Sequence, residues 1–170
     1  AAFYGSRPQF ICCSATIGNP RELAERILEE QVVLLDGNGA PAGERHFVFY
    51  NPPLVDPVQG IRRGVVKEAQ GIATRLLKQR VKTIVFARSR LRTELIASYI
   101  RESLRNHYTR DGGLKIASYR GGYLPNERRA IERGLRQGEI LGVVSTNALE
   151  LGIDIGGLDV SILAGFPGSI

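Results

Sequence analysis

The stretch Val143–Ile155, with the sequence VVSTNALELGIDI, has residue types and an order that could bind a phosphorylated ligand. Two valines end a predicted strand, and Ser145-Thr146-Asn147 follow at once. Ligands of open parallel sheets bind beyond the carboxyl ends of the strands. Hydroxyl and backbone N–H groups suit phosphate oxygens, and the carboxylate of Asp154 could accept a hydrogen bond from a sugar hydroxyl. The alternative is an ordinary turn with a capping hydroxyl and a solvated carboxylate.

Two further polar clusters, Arg88-Ser89-Arg90 and Arg120-Gly121-Gly122, also follow predicted strands. Because the carboxyl ends of parallel strands share one edge of a sheet, the three clusters should converge on one surface. Gly121 and Gly122 allow close approach of the backbone, and the start of the helix that follows favours an anion. Each cluster alone is compatible with a solvated surface, but together they predict a groove for a phosphate backbone. No aromatic run suited to base stacking accompanies them, so sequence-specific base reading is not indicated.

Length and charge limit the class of protein. The 170 residues, 43% hydrophobic and 24% charged, suffice for one α/β domain or for one domain plus a fragment of another. A formal net charge of +6 favours an anionic partner, nucleic acid before membrane. No run approaches ~18 apolar residues, so no membrane partner is expected. Cys12 and Cys13 are predicted to be reduced and buried in a strand, which favours a cytoplasmic protein without a zinc site.

Short β-branched runs alternate with helical periods along the chain, and Asp36–Asp56 is rich in Gly and Pro, as a connector between two units would be. The predicted strands are Gln9–Cys13, Val32–Leu35, His46–Tyr50, Thr83–Ala87, Lys115–Tyr119, Leu141–Val144 and Val160–Leu163. The predicted helices start near Pro20, span Gly64–Gln79, reach from the end of the fourth strand to about Asn106, and open at Pro125. This alternation predicts a parallel sheet with helices on both faces.

The helical period also predicts which side chains face the core. The expected inward residues of the last three helices are Ala69, Ile72, Ala73, Leu76 and Leu77, then Leu91, Leu95, Ile96, Tyr99 and Ile100, then Ala130, Ile131, Gly134 and Leu135.

The chemistry that the sequence lacks is also informative. There is no G-x-x-x-x-G-K-[ST] phosphate loop, and no Asp-Glu pair stands at a strand end to hold Mg²⁺. His46 and His107 lie far apart in sequence and match no triad or metal-ligand spacing. We therefore expect no metal site and no nucleotide hydrolysis by these residues unaided.

Several segments resemble the motifs of superfamily-two helicases. Ser14-Ala15-Thr16 is similar to motif III, Ile84–Ser89 to motif IV, and Ser145–Ile155 to motif V, which is the most specific match. Ser118–Arg129, SYRGGYLPNERR, resembles the segment that opens a helix in this family. The resemblance implies an α/β fold, a parallel-sheet, three-layer RecA-like domain of P-loop NTPase type. It assigns residues 46–170 to the second RecA-like domain, truncated before motif VI, and residues 1–45 to a C-terminal remnant of the first plus a connector.

Finer features resemble one branch of the superfamily. TNALELGIDIG, the NPP at Asn51–Pro53 and ILAGFPGS at Ile162–Ser169 are similar to the bacterial mitomycin-repair helicases and their eukaryotic RecQ-like relatives. Leu151 stands where DEAD-box RNA helicases have Arg, which favours a DNA-translocating relative. Arg120 stands where many members have His.

The resemblance also implies roles for individual residues. The nucleic-acid contacts would be made by Arg88, Ser89, Gly121, Gly122, Ser145 and Thr146. Gly152 and Asp154 would lie at the nucleotide in the interdomain cleft, with Asp154 on the ribose. Ser14, Ala15 and Thr16 would couple that cleft to the nucleic acid.

The function that the resemblance implies is the second motor domain of an ATP-dependent helicase. ATP and Mg²⁺ would act in the intact protein, with neither bound to these residues alone. The implied partners are a single strand, DNA rather than RNA, and the first RecA-like domain in cis, in the cytoplasm and near the nucleoid if the source is bacterial. Two alternatives stay open: a stand-alone doubly wound domain binding a nucleotide-sugar, and a non-motor nucleic-acid-binding module. The absence of G-x-G-x-x-G disfavours a dinucleotide.

Overall fold

A computed structural model of the protein describes residue 5 and residues 8–14, 17–37, 39, 41, 43–105, 115–149 and 156–165. The chain divides into two compact units, Ala1–Val48 and Phe49–Ile170. Among the described residues, no helix has both the length and the apolar composition that crossing a membrane requires.

The first unit contains one regular element among its described residues, the helix α1 at Pro20–Leu28. The helix begins where the sequence predicts, with proline at its start and Glu22 in its first turn, and it ends at Glu29 in the left-handed conformation. Both the proline and the early carboxylate suit a helix N-terminus, since the first N–H groups lack partners there.

Three strand predictions in and next to this unit are wrong. Gln9–Cys13, Val32–Leu35 and His46–Tyr50 are all irregular, Ile11 is 83% exposed, and Cys12 and Cys13 are exposed rather than buried. An apolar run becomes a buried strand only when a neighbouring strand pairs with its backbone. The described part of the first unit offers no such neighbour.

A small hairpin lies near the start of the second unit, and only its first strand falls within the predicted connector Asp36–Asp56. Strand β1 (Leu54–Asp56) pairs antiparallel with β2 (Ile61–Arg62). The turn between them is held by the carboxylate of Asp56, which accepts hydrogen bonds from the N–H groups of Val58 at 2.9 Å and Gln59 at 3.0 Å. Such side-chain closure of a turn is typical of Asp.

The main sheet has four parallel strands, as the sequence predicts. They are β3 (Thr83–Ala87), β4 (Lys115–Tyr119), β5 (Ile140–Ser145) and β6 (Val160–Ala164), and their order across the sheet is β4-β5-β3-β6. Each of the four predicted strands in this region is confirmed to within a residue or so.

Helices cover both faces of this sheet, which confirms the three-layer α/β architecture. Two of them, α2 (Val65–Lys78) and α3 (Arg90–Leu104), share a buried cluster with Val144, while α4 (Pro125–Arg136) shares another with Val143. Successive side chains of a strand point to opposite faces, so these adjacent valines anchor opposite layers.

The buried stripe of α3 is turned from the predicted one. Leu91 is 70% exposed, and Leu95 and Tyr99 are also exposed, whereas Thr93 and Ala97 are fully buried. The complete buried set is Thr93, Ile96, Ala97, Ile100 and Leu104. The helical period is right, but small side chains face the core because the helix lies close to its neighbours. In α2 the buried residues are Ala69, Ala73, Thr74 and Leu77, whereas Ile72 and Leu76 are only half-buried. Ala130 of α4 is exposed, contrary to the prediction.

Gly142 in β5 should tolerate no side chain. A Cβ there would lie 2.7 Å from Cδ1 of Ile116 and 3.0 Å from Cδ2 of Leu77. We expect Gly142→Ala to lower the free energy of unfolding by ~1–3 kcal/mol through overpacking, as measured by urea denaturation.

The matched control is Gly71→Ala in α2, where a Cβ would meet nothing within 4 Å. Removing glycine from a helix interior should raise the free energy of unfolding by ~0.5–1 kcal/mol. Equal effects from the two substitutions would contradict the close packing of β5 beneath α2.

Candidate nucleic-acid interface

The register of the sheet brings the three polar clusters to one edge. Ser145, the last residue of β5, lies opposite Phe86 of β3 and Tyr119 of β4. The backbone N–H of the next residue, Thr146, donates a hydrogen bond to the carbonyl of Tyr119 at 3.3 Å. The predicted convergence of the residues that follow these three strands is therefore confirmed.

At the end of β3, Arg88 is exposed and has no ion pair with any residue that the structure describes. Its side chain lines a pocket of about 230 Å³, together with Phe86, Asn147 and Leu163. A guanidinium without a carboxylate partner is free to bind an anion, and it matches phosphate geometry well.

Ser89 has a local structural role. Its hydroxyl accepts a hydrogen bond from the N–H of Arg92 at 3.3 Å, so Ser89 is the N-cap of α3. The hydroxyl of Thr93 also donates to the carbonyl of Ser89 at 3.1 Å. The cap orients the helix that follows Arg88, and the predicted nucleic-acid contact of Ser89 stays a prediction.

At the end of β4, Gly121 and Gly122 form an open turn. Gly122 has a φ of +104°, which side-chain-bearing residues rarely adopt, and a Cβ on Gly121 would meet nothing within 4 Å. The turn leads into α4, where the carboxylate of Glu127 accepts the N–H of Leu124 at 3.0 Å. The geometry leaves the glycine backbone accessible to a ligand at this edge.

Arg120 is tied to neighbours that sequence reasoning missed. Its Nε donates to Oε1 of Glu94 at 2.9 Å, and its guanidinium lies 4.8 Å from the ring centre of Tyr123. The hydroxyl of Tyr123 donates to the same Glu94 oxygen at 2.8 Å and lies 2.7 Å from the hydroxyl oxygen of Ser118. This network joins α3 to the glycine turn. It also pairs the charge of Arg120 with the carboxylate of Glu94.

The same network keeps Glu94 ionised. Partial burial opposes the charge, but hydrogen bonds from Arg120, Tyr123 and Ser118 outweigh it and hold the pKa of Glu94 below its ordinary value. The bond to Glu94 likewise raises the pKa of Arg120. A signal did exist in the sequence, since Glu94 is the only acidic residue in the first two turns of α3.

At the end of β5 the two hydroxyl residues differ. Ser145 is fully buried, and its hydroxyl donates to the carbonyl of Thr146 at 2.6 Å, so this geometry does not favour the predicted direct contact. Thr146 is half-buried, and its hydroxyl oxygen accepts the N–H of Ala148 at 3.4 Å, at the start of the short 3-10 helix Asn147–Leu149. Its hydroxyl proton makes no hydrogen bond to a described residue.

The remaining predicted site residues are only partly described. Ser14 is exposed on an irregular segment. Ala15, Thr16, Gly152 and Asp154 lie outside the described residues. Their predicted roles in coupling and in nucleotide binding stay predictions.

Comparison with known families decides the class of the protein. The helicase conserved C-terminal domain family matches residues 68–170. The chain belongs to this family. Its described strand-end edge is therefore the edge of a helicase C-terminal domain.

The known relatives of this domain include ATP-dependent helicases that are several times longer than the chain. Over 168 residues it is 57% identical to the uncharacterized ATP-dependent helicase YprA of Bacillus subtilis, covering 99% of the chain and 22% of that protein. It is 39% identical over 174 residues to the ATP-dependent helicase hrq1 of Schizosaccharomyces pombe, covering 100% of the chain and 16% of that protein.

Among solved structures, the helicase domain is similar to the crystal structure of the DUF1998 helicase MrfA bound to DNA and AMPPNP. The TM-score is 0.88 at 56% identity, over 98% of this chain and 23% of that one. The chain thus spans about a fifth of the length of these relatives. The predicted RecA-like fold and the resemblance to superfamily-two helicases are confirmed, and neither alternative function is supported.

The Glu94 network predicts a pH-dependent stability. We expect Glu94→Gln to lower the free energy of unfolding by about 1 kcal/mol at neutral pH, because charge-assisted hydrogen bonds are lost in a partly solvated site. The pKa of Glu94 is depressed in the folded protein, so the contribution is present above its ordinary value of 4.5 and is lost as the pH falls below it. Urea denaturation of wild type and Glu94→Gln from pH 7 to acid pH should show the difference between their free energies of unfolding decreasing.

Glu102→Gln, on the same helix, is the control, since the Glu102 side chain has no hydrogen bond or ion pair to a described residue. It should leave the free energy of unfolding nearly unchanged. A Glu94→Gln protein as stable as wild type at pH 7 would show that the network contributes nothing.

Proposed function

We propose that this chain is the second motor domain of an ATP-dependent DNA helicase, and that its strand-end edge grips the backbone of one strand. The observation that carries the proposal is the convergence of Arg88, the Gly121-Gly122 turn and Thr146 at adjacent ends of β3, β4 and β5. DNA as the substrate is supported by the 56% identity to MrfA, whose structure contains DNA and AMPPNP.

Each member of this edge supplies a different group for a phosphate. The unpaired guanidinium of Arg88 provides charge and two parallel donors. The accessible backbone of Gly121 and Gly122 provides N–H groups, and Thr146 provides a hydroxyl proton. Contacts to phosphates position a strand but carry no sequence information, so the grip should accept any sequence.

Rigid positioning of these groups comes from the interactions around them. The Ser89 cap fixes the start of α3 beside Arg88, and Glu94 on that helix holds the glycine turn through Arg120. Two of the three gripping elements thus move together. A domain that steps along a strand needs such a unit, because its contacts must be transferred as one body.

Nucleotide binding belongs to the intact protein in this proposal. By the resemblance to motif V, Gly152 and Asp154 would face the nucleotide at the cleft between two RecA-like domains. The names of the relatives as ATP-dependent helicases support nucleotide use by the intact protein. In the intact protein, ATP binding would favour closing of that cleft and its hydrolysis would allow reopening, with Mg²⁺ as the expected partner of the nucleotide. The residues described for this chain contribute the strand grip.

Arg88 provides the sharpest test of the grip. We expect Arg88→Ala to weaken binding of single-stranded DNA and to lower the slope of log affinity against log salt by ~0.7, the value for one lost phosphate contact. The fold should be unaffected, because the side chain is exposed. A salt titration followed by fluorescence anisotropy measures the affinity and the slope together.

Arg75→Ala is the matched control, since Arg75 is an exposed arginine of α2 outside the strand-end edge. It should change the affinity and the slope much less. Equal losses from the two substitutions would mean that diffuse positive charge binds the strand, and the grip at Arg88 would be wrong.

A second prediction concerns hydrolysis. These 170 residues contain no G-x-x-x-x-G-K-[ST] segment, and phosphoryl transfer depends on groups that cradle the phosphates. We expect the 170-residue chain to release no phosphate from ATP above background, with or without single-stranded DNA. Turnover that survives repurification and disappears in Asp154→Ala would contradict this assignment of roles.

A further inference from the structure

Helix α4 carries a stripe of three arginines that the strand-end edge does not use. Arg129, Arg133 and Arg136 are exposed, and their spacings of four and three residues put them on one side of the helix. Together with Gln137 they line a cavity of about 380 Å³. We call these three residues the α4 arginine stripe.

The carboxylates nearest in sequence have other partners. Glu127 accepts the backbone N–H of the residue before the helix, Glu132 accepts the hydroxyl of Tyr119 at 2.8 Å, and Glu139 pairs with a lysine of β4 at 3.3 Å. None of the three arginines has an ion pair with a residue that the structure describes. Like charges at these spacings repel each other, and a bound anion would remove this repulsion.

We propose that the α4 arginine stripe is a second nucleic-acid contact, and that it binds the phosphate backbone of a DNA duplex. This inference rests on the proposed helicase function. Helix α4 leaves the strand-end edge at the Gly121-Gly122 turn and ends where β5 begins. The stripe therefore extends away from the single-strand grip, toward the end of the sheet at which the strands begin.

The dimensions of the stripe suit a duplex. From Arg129 to Arg136 the helix axis rises by about 10 Å. One strand of B-form DNA has a phosphate about every 3.4 Å along the duplex axis, so about three phosphates pass over that length. With the helix laid along the duplex, the three long guanidinium side chains can thus each reach a phosphate within that length.

A protein partner is a poorer fit. Protein interfaces have cores enriched in aromatic residues and depleted of charge. The exposed residues of α4 are Pro125, Asn126, Glu127, Arg129, Ala130, Arg133 and Arg136, with no aromatic or large aliphatic side chain among them. Nothing on this face could anchor an apolar interface.

The test compares two DNA probes with the full-length protein. One probe is a labelled duplex with a single-stranded tail, and the other is the tail alone. The triple variant R129Q/R133Q/R136Q removes the charge while keeping residues of good helix propensity. We expect the slope of log affinity against log salt to fall by ~0.9 per lost contact for the tailed duplex and to stay unchanged for the single strand.

Two further variants make the result specific. R129K/R133K/R136K keeps the charge on the same helix and should retain most of the slope, which separates lost charge from a disturbed fold. Arg88→Ala, in contrast, should lower the slope by ~0.7 on both probes, because both carry the single strand that Arg88 contacts.

Equal losses on both probes, or no loss on the tailed duplex, would overturn the inference. Failure of Arg88→Ala to weaken single-strand binding would overturn the proposed grip while leaving the duplex contact standing.

Discussion

The parallel pairing of β5 between β4 and β3 is the constraint on which the functional edge depends. Because Ser145 lies opposite both Phe86 and Tyr119, the chain leaves all three strands at nearly the same height. Residues that are distant in sequence therefore lie close together directly after the strand ends. Gly142 contributes to this arrangement, since its missing side chain lets Leu77 of α2 and Ile116 of β4 close over the central strand.

Hydrogen bonds also connect elements of this edge to one another. Glu94 accepts hydrogen bonds from Arg120 and Tyr123, so α3 and the glycine turn are held at a defined distance. Its partners keep this carboxylate ionised despite partial burial. The consequence is a division of labour between the two arginines. Arg120 stabilises the turn, whereas Arg88 has its charge available for a ligand.

Much of this architecture could be predicted from the sequence, and the failures have physical causes. Strands β3 to β6 were predictable because branched apolar runs end abruptly at polar residues such as Thr146. The run at Gln9–Cys13 looks the same locally, but no described strand in its unit pairs with it. The buried face of α3 was misplaced because Thr93 and Ala97, being small, carry a weak hydrophobic signal. Glu94 was missed because its partner, Arg120, lies 26 residues away in sequence.

The central claim is that Arg88, the glycine turn and Thr146 act as one backbone grip. Nuclear magnetic resonance of the isotope-labelled 170-residue chain, titrated with unlabelled single-stranded DNA, tests it most directly. The account predicts that the backbone amide signals of Gly121, Gly122 and Thr146 shift together with those around Arg88, with one common dissociation constant. Unchanged signals at this edge, with shifts confined to other surfaces, would contradict the account.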